Sequence, residues 1–196
     1  MSRFYPHSEY AEDQPLSRTI LATHVLARGF QIGAGLGVGV GLASHAGALY
    51  KDRTAHVRPP KGADVGAATM DQTSRAARRP FAPTLLRSAG AGSVFGLALL
   101  SVGLVVQMHG KEDIEWRDRS WRLLENKGQM ELDTWQALGA FSGLGGALSP
   151  SVALKYGGRN VLGLSGVVGG AALGSLGGLF GYLAYRYGYK RGRWED

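Results

Sequence analysis

Four long stretches of the chain carry no charged side chain, and they limit its fold more than any other feature. Each holds 21 or more residues, and they are Gly29–Tyr50, Ser88–Gly110, Thr134–Leu154 and Asn160–Tyr185. A helix needs about 20 apolar residues to cross the hydrocarbon core of a bilayer. We therefore predict an all-α integral membrane protein with four glycine-rich transmembrane helices. The alternative is a soluble core of buried apolar helices, but such a core rarely contains four charge-free runs of this length.

The predicted spans and the segments between them divide the chain into eight parts. The parts are an N-terminal polar segment 1–18, a first span 19–50, a basic proline-containing loop 51–83, a second span 84–109, a charged segment 110–133, a third span 134–155, a fourth span 160–186 and a basic aromatic tail 187–196. Ile114, Trp121 and Leu124 share one helical face, which predicts a short amphipathic surface helix between spans 2 and 3. We expect the third span to be capped near Asp133, and Pro83 favours the first turn of the second span.

Glycine recurs every four residues along the predicted spans. In lipid, helices associate through close packing, and a glycine column forms a groove that accepts another helix. We therefore predict a tightly packed bundle, with the first or fourth span also docking against other membrane subunits. The alternative is that the glycines serve internal packing alone. The predicted helix-packing residues are Gly29, Gly33, Gly37, Gly41, Gly92, Gly96, Gly139, Gly143, Gly166, Gly170, Gly174 and Gly178, and a neighbouring face of the first span carries Gly35, Gly39, Ala43 and Gly47.

Basic side chains flank the predicted spans. Four spans place both termini and the second connection on one side, and the opposite side carries the basic excess of the loop around Arg75–Arg79. This distribution places the first and third connections on the side of negative potential. Arg28 either reaches toward the headgroups or faces a protein partner. The candidate contacts for anionic phospholipid, including cardiolipin, are Arg28, Arg87, Arg186, Lys190 and Arg191.

The charge-free windows offer little chemistry. None contains Asp or Glu, which argues against a proton pump or an ion-coupled carrier. The five histidines are not at metal-ligand spacing, and the chain has no cysteine. The glycine-rich string at 33–41 lies mid-span without the lysine of a phosphate loop. We expect no catalytic, cofactor-binding or metal site, and neither a nucleic acid partner nor a small-molecule substrate.

Two stretches resemble known mitochondrial membrane proteins. The hairpin YGGRNVLGLSGVVGGAALGSLGGLFGYLAY (156–185) resembles the translocase-of-the-inner-membrane group, which includes presequence-translocase subunits and a related complex I subunit. The run EDQPLSRTILATHVLARGFQIGAGLGVG (12–39) is similar to the fungal NUXM family of accessory subunits of respiratory complex I.

The NUXM resemblance implies the inner mitochondrial membrane, a non-catalytic role beside the membrane arm, and termini in the intermembrane space. Acidic residues near the N-terminus are atypical of a cleavable transit peptide, so targeting information is expected to be internal. A subunit of a protein translocase, and less favourably a small carrier or pore, remain the alternatives.

Overall fold

The computed structural model of the chain describes residues 5–57, 81–149, 151 and 159–192. Throughout these residues the fold is helical. The elements in order are a 3₁₀ turn at Ala11–Asp13, α1 at Ser17–Val57, α2 at Phe81–Met108, α3 at Asp113–Glu125, α4 at Lys127–Leu148, α5 at Arg159–Leu183 and a π-helical turn at Ala184–Tyr189. Three helices, α1, α2 and α5, are long and apolar enough to cross a membrane.

The α4 helix differs from the third predicted span. It begins at Lys127, ends at Leu148 and is too polar on average to be among the three candidate spans. Its N-cap is Asn126, whose side-chain oxygen accepts a hydrogen bond from the backbone N–H of Gln129 at 3.1 Å. The prediction of a cap at Asp133 is therefore wrong, since Asp133 lies inside the helix. Residues 150 and 152–155 of the predicted span lie outside the described residues.

The other boundaries shift by smaller amounts. The α1 helix continues to Val57, so the first residues of the predicted loop are helical, and residues 58–80 of that loop lie outside the described residues. Pro83 lies in the first turn of α2, as predicted. The surface helix α3 occupies only the central part of segment 110–133. In α5, Gly163 breaks the helix with φ 60° and ψ −177°, a conformation that is essentially restricted to glycine.

The four longer helices form two antiparallel pairs. The first pair is α1 with α2, where Gly29 lies against Gly96, and the second is α4 with α5, where Gly139 lies against Gly174. The two pairs meet where α2 crosses α5, with Gly90 against Ser165. The starts of α1 and α4 and the ends of α2 and α5 therefore lie at the same end of the bundle, which we call the α3 end.

The N-terminal segment and α3 cover the α3 end. The indole Nε1 of Trp121 donates a hydrogen bond to the carbonyl of Ser8 at 3.1 Å, and Arg117 donates to the carbonyl of Glu12 at 2.6 Å. Gln14 is buried and its side chain donates to the carbonyl of Pro6 at 2.8 Å. The amphipathic helix predicted from the sequence is present, and it buries Leu124.

The stability of the first turn of α3 depends on the ionisation of the Glu115 carboxyl. A hydrogen bond from Lys111 (Nζ to Oε1, 2.9 Å) and a second from the backbone of Glu112 lower the pKa of this carboxyl below its ordinary value of 4.5. The stabilisation is thus present above the ordinary pKa and is lost as pH falls through the lowered folded value.

We predict that a Glu115→Gln variant is less stable than the parent chain at neutral pH, and that the difference disappears in strong acid. Melting of detergent-solubilised protein along a pH series measures this difference. A difference that stays constant into strong acid would contradict the assigned role of the carboxylate.

Candidate functional site

The α1–α2 interface is built from glycines in backbone contact. A Cβ added at Gly33 would overlap the carbonyl oxygen of Gly92, and one added at Gly37 would overlap that of Ser88. Substitution of Gly96 would likewise press into the backbone of α1 at Gly29. Gly41 is restricted by the Ser88 side chain instead. The helices approach closely here because these positions lack side chains.

The α4–α5 interface repeats this arrangement. A Cβ on Gly139 would overlap the carbonyl oxygen of Gly174, and one on Gly143 would overlap that of Gly170. At the α3 end, Gly178 lies against the backbone carbonyl of Trp135. Gly166 is buried. Gly170, Gly174 and Gly178 of the column predicted on the fourth span therefore pack against α4 inside the chain, so these positions are not a free docking surface.

A third glycine contact joins the two pairs, and the sequence analysis did not single it out. A Cβ on Gly90 would overlap the carbonyl oxygen of Ser165, and one on Gly169 would overlap that of Leu86. The signal was present in the adjacent glycines Gly169 and Gly170, which place a small residue on two faces of α5. Small residues on two faces of one helix could have indicated that this helix packs against two partner helices.

A second set of glycines faces away from the described helices. A Cβ built at any of these positions meets no described atom within 4 Å, and on α1 they alternate with exposed apolar side chains such as Leu36 and Val40. This outward α1 face continues through the exposed Ala43. The outward glycines are Gly35, Gly39, Gly47, Gly103, Gly145, Gly146 and Gly177.

A cluster of polar side chains joins α1 to α4 at the α3 end. Arg28 Nη2 lies 2.8 Å from Asp133 Oδ1, and His24 Nδ1 lies 3.1 Å from Asp133 Oδ2. The Asp133 side chain is 10% exposed and that of Arg28 is 19% exposed. A charge pair this far from water depends on mutual compensation, since removal of one partner leaves the other uncompensated. The cluster therefore fixes the α1–α2 pair against α4.

Three glutamines extend the cluster into the bundle. Arg28 donates hydrogen bonds to the side-chain oxygens of Gln31, at 3.2 Å, and Gln129. The Gln31 oxygen also accepts from Gln136 Nε2 at 2.6 Å. The Nε2 of Gln31 is buried without a partner among the described residues. Together these bonds hold the guanidinium in one position between the helices.

The predicted lipid-contact residues fall into two groups. Arg28 belongs to the internal cluster, and Arg186 is 4% exposed and donates to the carbonyl of Gly192 at 3.2 Å. Neither guanidinium is presented to headgroups in the way that the sequence analysis expected. Arg87 and Arg191 are exposed, while Lys190 lies over the Tyr185 ring at 5.4 Å. The candidate headgroup contacts are therefore Arg87, Lys190 and Arg191.

The sequence analysis missed Asp133 as the partner of Arg28. The charge-free window of the third span begins at Thr134, directly after Asp133. The first turns of α4 were therefore assigned to the surface segment. Gln129, Asp133 and Gln136 recur at helical spacing, which would have indicated one polar face. Asp133 lies one position before the charge-free window Thr134–Leu154, and the structure includes it in the same helix, α4.

The chemistry of the cluster is structural in character. Across the described residues, no group of three His, Asp or Glu side chains is arranged to hold a metal ion. The carboxylate of Asp133 is occupied by Arg28 and His24, so it is not free to act as a nucleophile or ligand. The arrangement can fix the helices relative to one another. Comparison with protein-family models, curated proteins and solved structures finds no match to the chain.

Proposed function

We propose that the protein is a non-catalytic membrane subunit that packs against other subunits of a larger complex. The observation that carries this proposal is the outward α1 face of Gly35, Gly39, Ala43 and Gly47. The inward glycines of α1 are already used against α2, whereas a Cβ at any outward glycine meets no described atom within 4 Å. Small residues at four-residue spacing allow a second helix to approach closely in lipid.

The proposal includes four membrane spans, with α4 as the third. α4 lies antiparallel to α5 along Gly139, Gly143 and Ala147, so the two helices share a common depth. The polar residues that lower its average hydropathy face protein: Gln136 is buried and Asp133 binds Arg28. Polar side chains inside membrane bundles commonly face the interior in this way.

We further propose that the parent assembly is mitochondrial complex I in the inner membrane, with both termini in the intermembrane space. The support is the resemblance of residues 12–39 to the NUXM family and the basic excess of the opposite side. In this role the chain contributes to assembly or stability of the membrane arm, and electron transfer and proton movement belong to other subunits. Arg87 and Arg191, which are exposed, and Lys190, which is half-buried, are the candidate contacts for cardiolipin.

A subunit of an inner-membrane protein translocase is the second candidate. One specific observation favours it, namely the charged cluster of Arg28, Asp133 and His24 between helices. Ionisable side chains inside a membrane bundle often mark the path of a polar substrate. A translocase is expected to present a hydrophilic groove in the membrane. The charge-free windows contain no acid, which counts against this alternative, but Asp133 lies next to one of those windows and weakens that argument.

We expect the protein to co-migrate with the NADH-oxidising complex on a native gel of detergent-solubilised mitochondria, followed by mass spectrometry across the bands. Gly39→Leu should keep the chain folded and reduce its share in that band severalfold. Gly103→Leu, at an outward position on α2, is the matched control. Migration with a presequence-import complex would support the second candidate, and migration of the chain alone would overturn both.

A further inference from the structure

A cavity of about 330 Å³ lies inside the α3 end of the bundle. Cavities that bind small ligands have volumes of roughly 300–1,000 Å³, so this one is at the lower limit of that range. Its wall is mostly apolar and includes Ile20, Leu26, Phe30, Leu97, Ala137 and Ala140. A cavity of this size and lining suits one hydrocarbon chain better than a two-chain phospholipid.

The cavity follows from how the two helix pairs cross. At Gly90 and Gly169 the backbones of α2 and α5 touch, whereas toward the α3 end Leu97 and Ser175 line open space between them. Tyr5 of the N-terminal segment and Leu123 of α3 also line this space. The space is therefore a wedge between the two helix pairs.

The polar residues that line the cavity are Tyr5, Thr23, His24, Asp133, Gln136 and Ser175. Tyr5 Oη and Thr23 Oγ1 lie 3.1 Å apart, and both residues line the cavity together with His24 and Asp133. A carboxylate only accepts hydrogen bonds, so we assign the Nδ1 proton of His24 to its contact with Asp133. On a neutral imidazole this leaves Nε2 as an acceptor, and within the described part of the chain it has no partner.

The net charge of the cluster also limits the charge that a ligand can carry. Arg28 already compensates Asp133, so the cluster carries no net charge when His24 is neutral. A charged headgroup would add an uncompensated charge to an apolar cavity. A hydroxyl group, by contrast, can donate to Nε2 of His24 without adding a charge to the cavity.

We propose that this cavity binds a single-chain neutral lipid through a free hydroxyl group, with the hydroxyl donating to Nε2 of His24 and the chain lying between Phe30, Leu97 and Ala140. All three helices that are apolar enough to span a membrane contribute to the cavity wall, so in a membrane the lipid phase supplies the ligand. This inference depends on a membrane location and is independent of which complex contains the chain.

The test is photo-crosslinking of the full-length protein in mild detergent with a monoacylglycerol that carries a diazirine in its acyl chain. We expect labelled peptides to contain Ala137 or Ala140, with labelling at least tenfold lower in Ala140→Phe, which fills the cavity. Leu138→Phe, at a side chain that is 62% exposed, is the matched control and should label like the parent chain.

The role of the hydroxyl is tested with a second probe and a conservative variant. The methyl ester of the same photoactivatable acyl chain should label the cavity severalfold less than the monoacylglycerol. His24→Asn keeps a donor for Asp133 and removes the Nε2 acceptor, so the two probes should then label equally. Equal labelling of the parent chain by both probes, stronger cavity labelling by a diazirine phosphatidylcholine, or unchanged labelling of Ala140→Phe would each overturn the proposal.

Discussion

Gly33→Leu is expected to separate α1 from α2, whereas Gly35→Leu leaves the fold intact. At Gly33 even a Cβ would overlap the carbonyl oxygen of Gly92, and backbone cannot move aside as a flexible side chain can. Overpacking of a well-packed interface costs typically 1–3 kcal/mol and occasionally more, so we expect a loss of at least about 3 kcal/mol. At Gly35 the new side chain meets no described atom within 4 Å, and the change should stay within about 0.5 kcal/mol.

The measurement is unfolding of the purified protein in mixed micelles with increasing SDS, followed by circular dichroism and tryptophan fluorescence. Both variants place the same side chain on the same helix, two positions apart, so helix propensity and total apolarity cancel in the comparison. Gly174→Leu and Gly177→Leu repeat the test on α5, because a Cβ at Gly174 meets the backbone of α4 whereas one at Gly177 meets no described atom within 4 Å. Equal stability of Gly33→Leu and Gly35→Leu would show that α1 packs through a different face.

The glycine spacing predicted the packing faces because the constraint is local. A column at four-residue intervals must lie along one side of a helix, and Gly29, Gly33 and Gly37 do face a neighbouring helix. Which helix they face is not encoded in that spacing. The sequence analysis left the partner of the fourth-span column open, and the structure assigns Gly170 and Gly174 to α4.

The polar cluster was harder to predict because it depends on the tertiary arrangement. Arg28 and Asp133 are separated by 105 positions, and nothing in either local segment identifies the other. Arg28 was left with two interpretations, contact with headgroups or with a protein partner, whereas the structure pairs it with Asp133 of the same chain. The cavity is equally non-local, since its wall combines five helices and the N-terminal segment.

Removal of Asp133 is expected to destabilise the protein more than removal of both charged partners. Asp133→Leu leaves the Arg28 guanidinium between helices without its carboxylate, and breaking a buried pair in this way costs about 3–5 kcal/mol. In the double variant Arg28→Met with Asp133→Leu no charge remains uncompensated. Apolar side chains of similar size often replace a buried pair without loss, so the double variant should recover most of the stability.

A double-mutant cycle measured by the same SDS unfolding separates the interaction from the individual substitutions. We expect a coupling energy of about 2 kcal/mol or more between Arg28 and Asp133, near the upper part of the range for residues in contact. The control is Arg122 with Asp118 on α3, an exposed pair with side chains 74% and 41% exposed, where coupling should stay near 0.3–0.5 kcal/mol, roughly the value for surface helix pairs. Coupling at Arg28–Asp133 no larger than this would mean that water reaches the cluster. In that case the glycine contacts alone would hold the two helix pairs together.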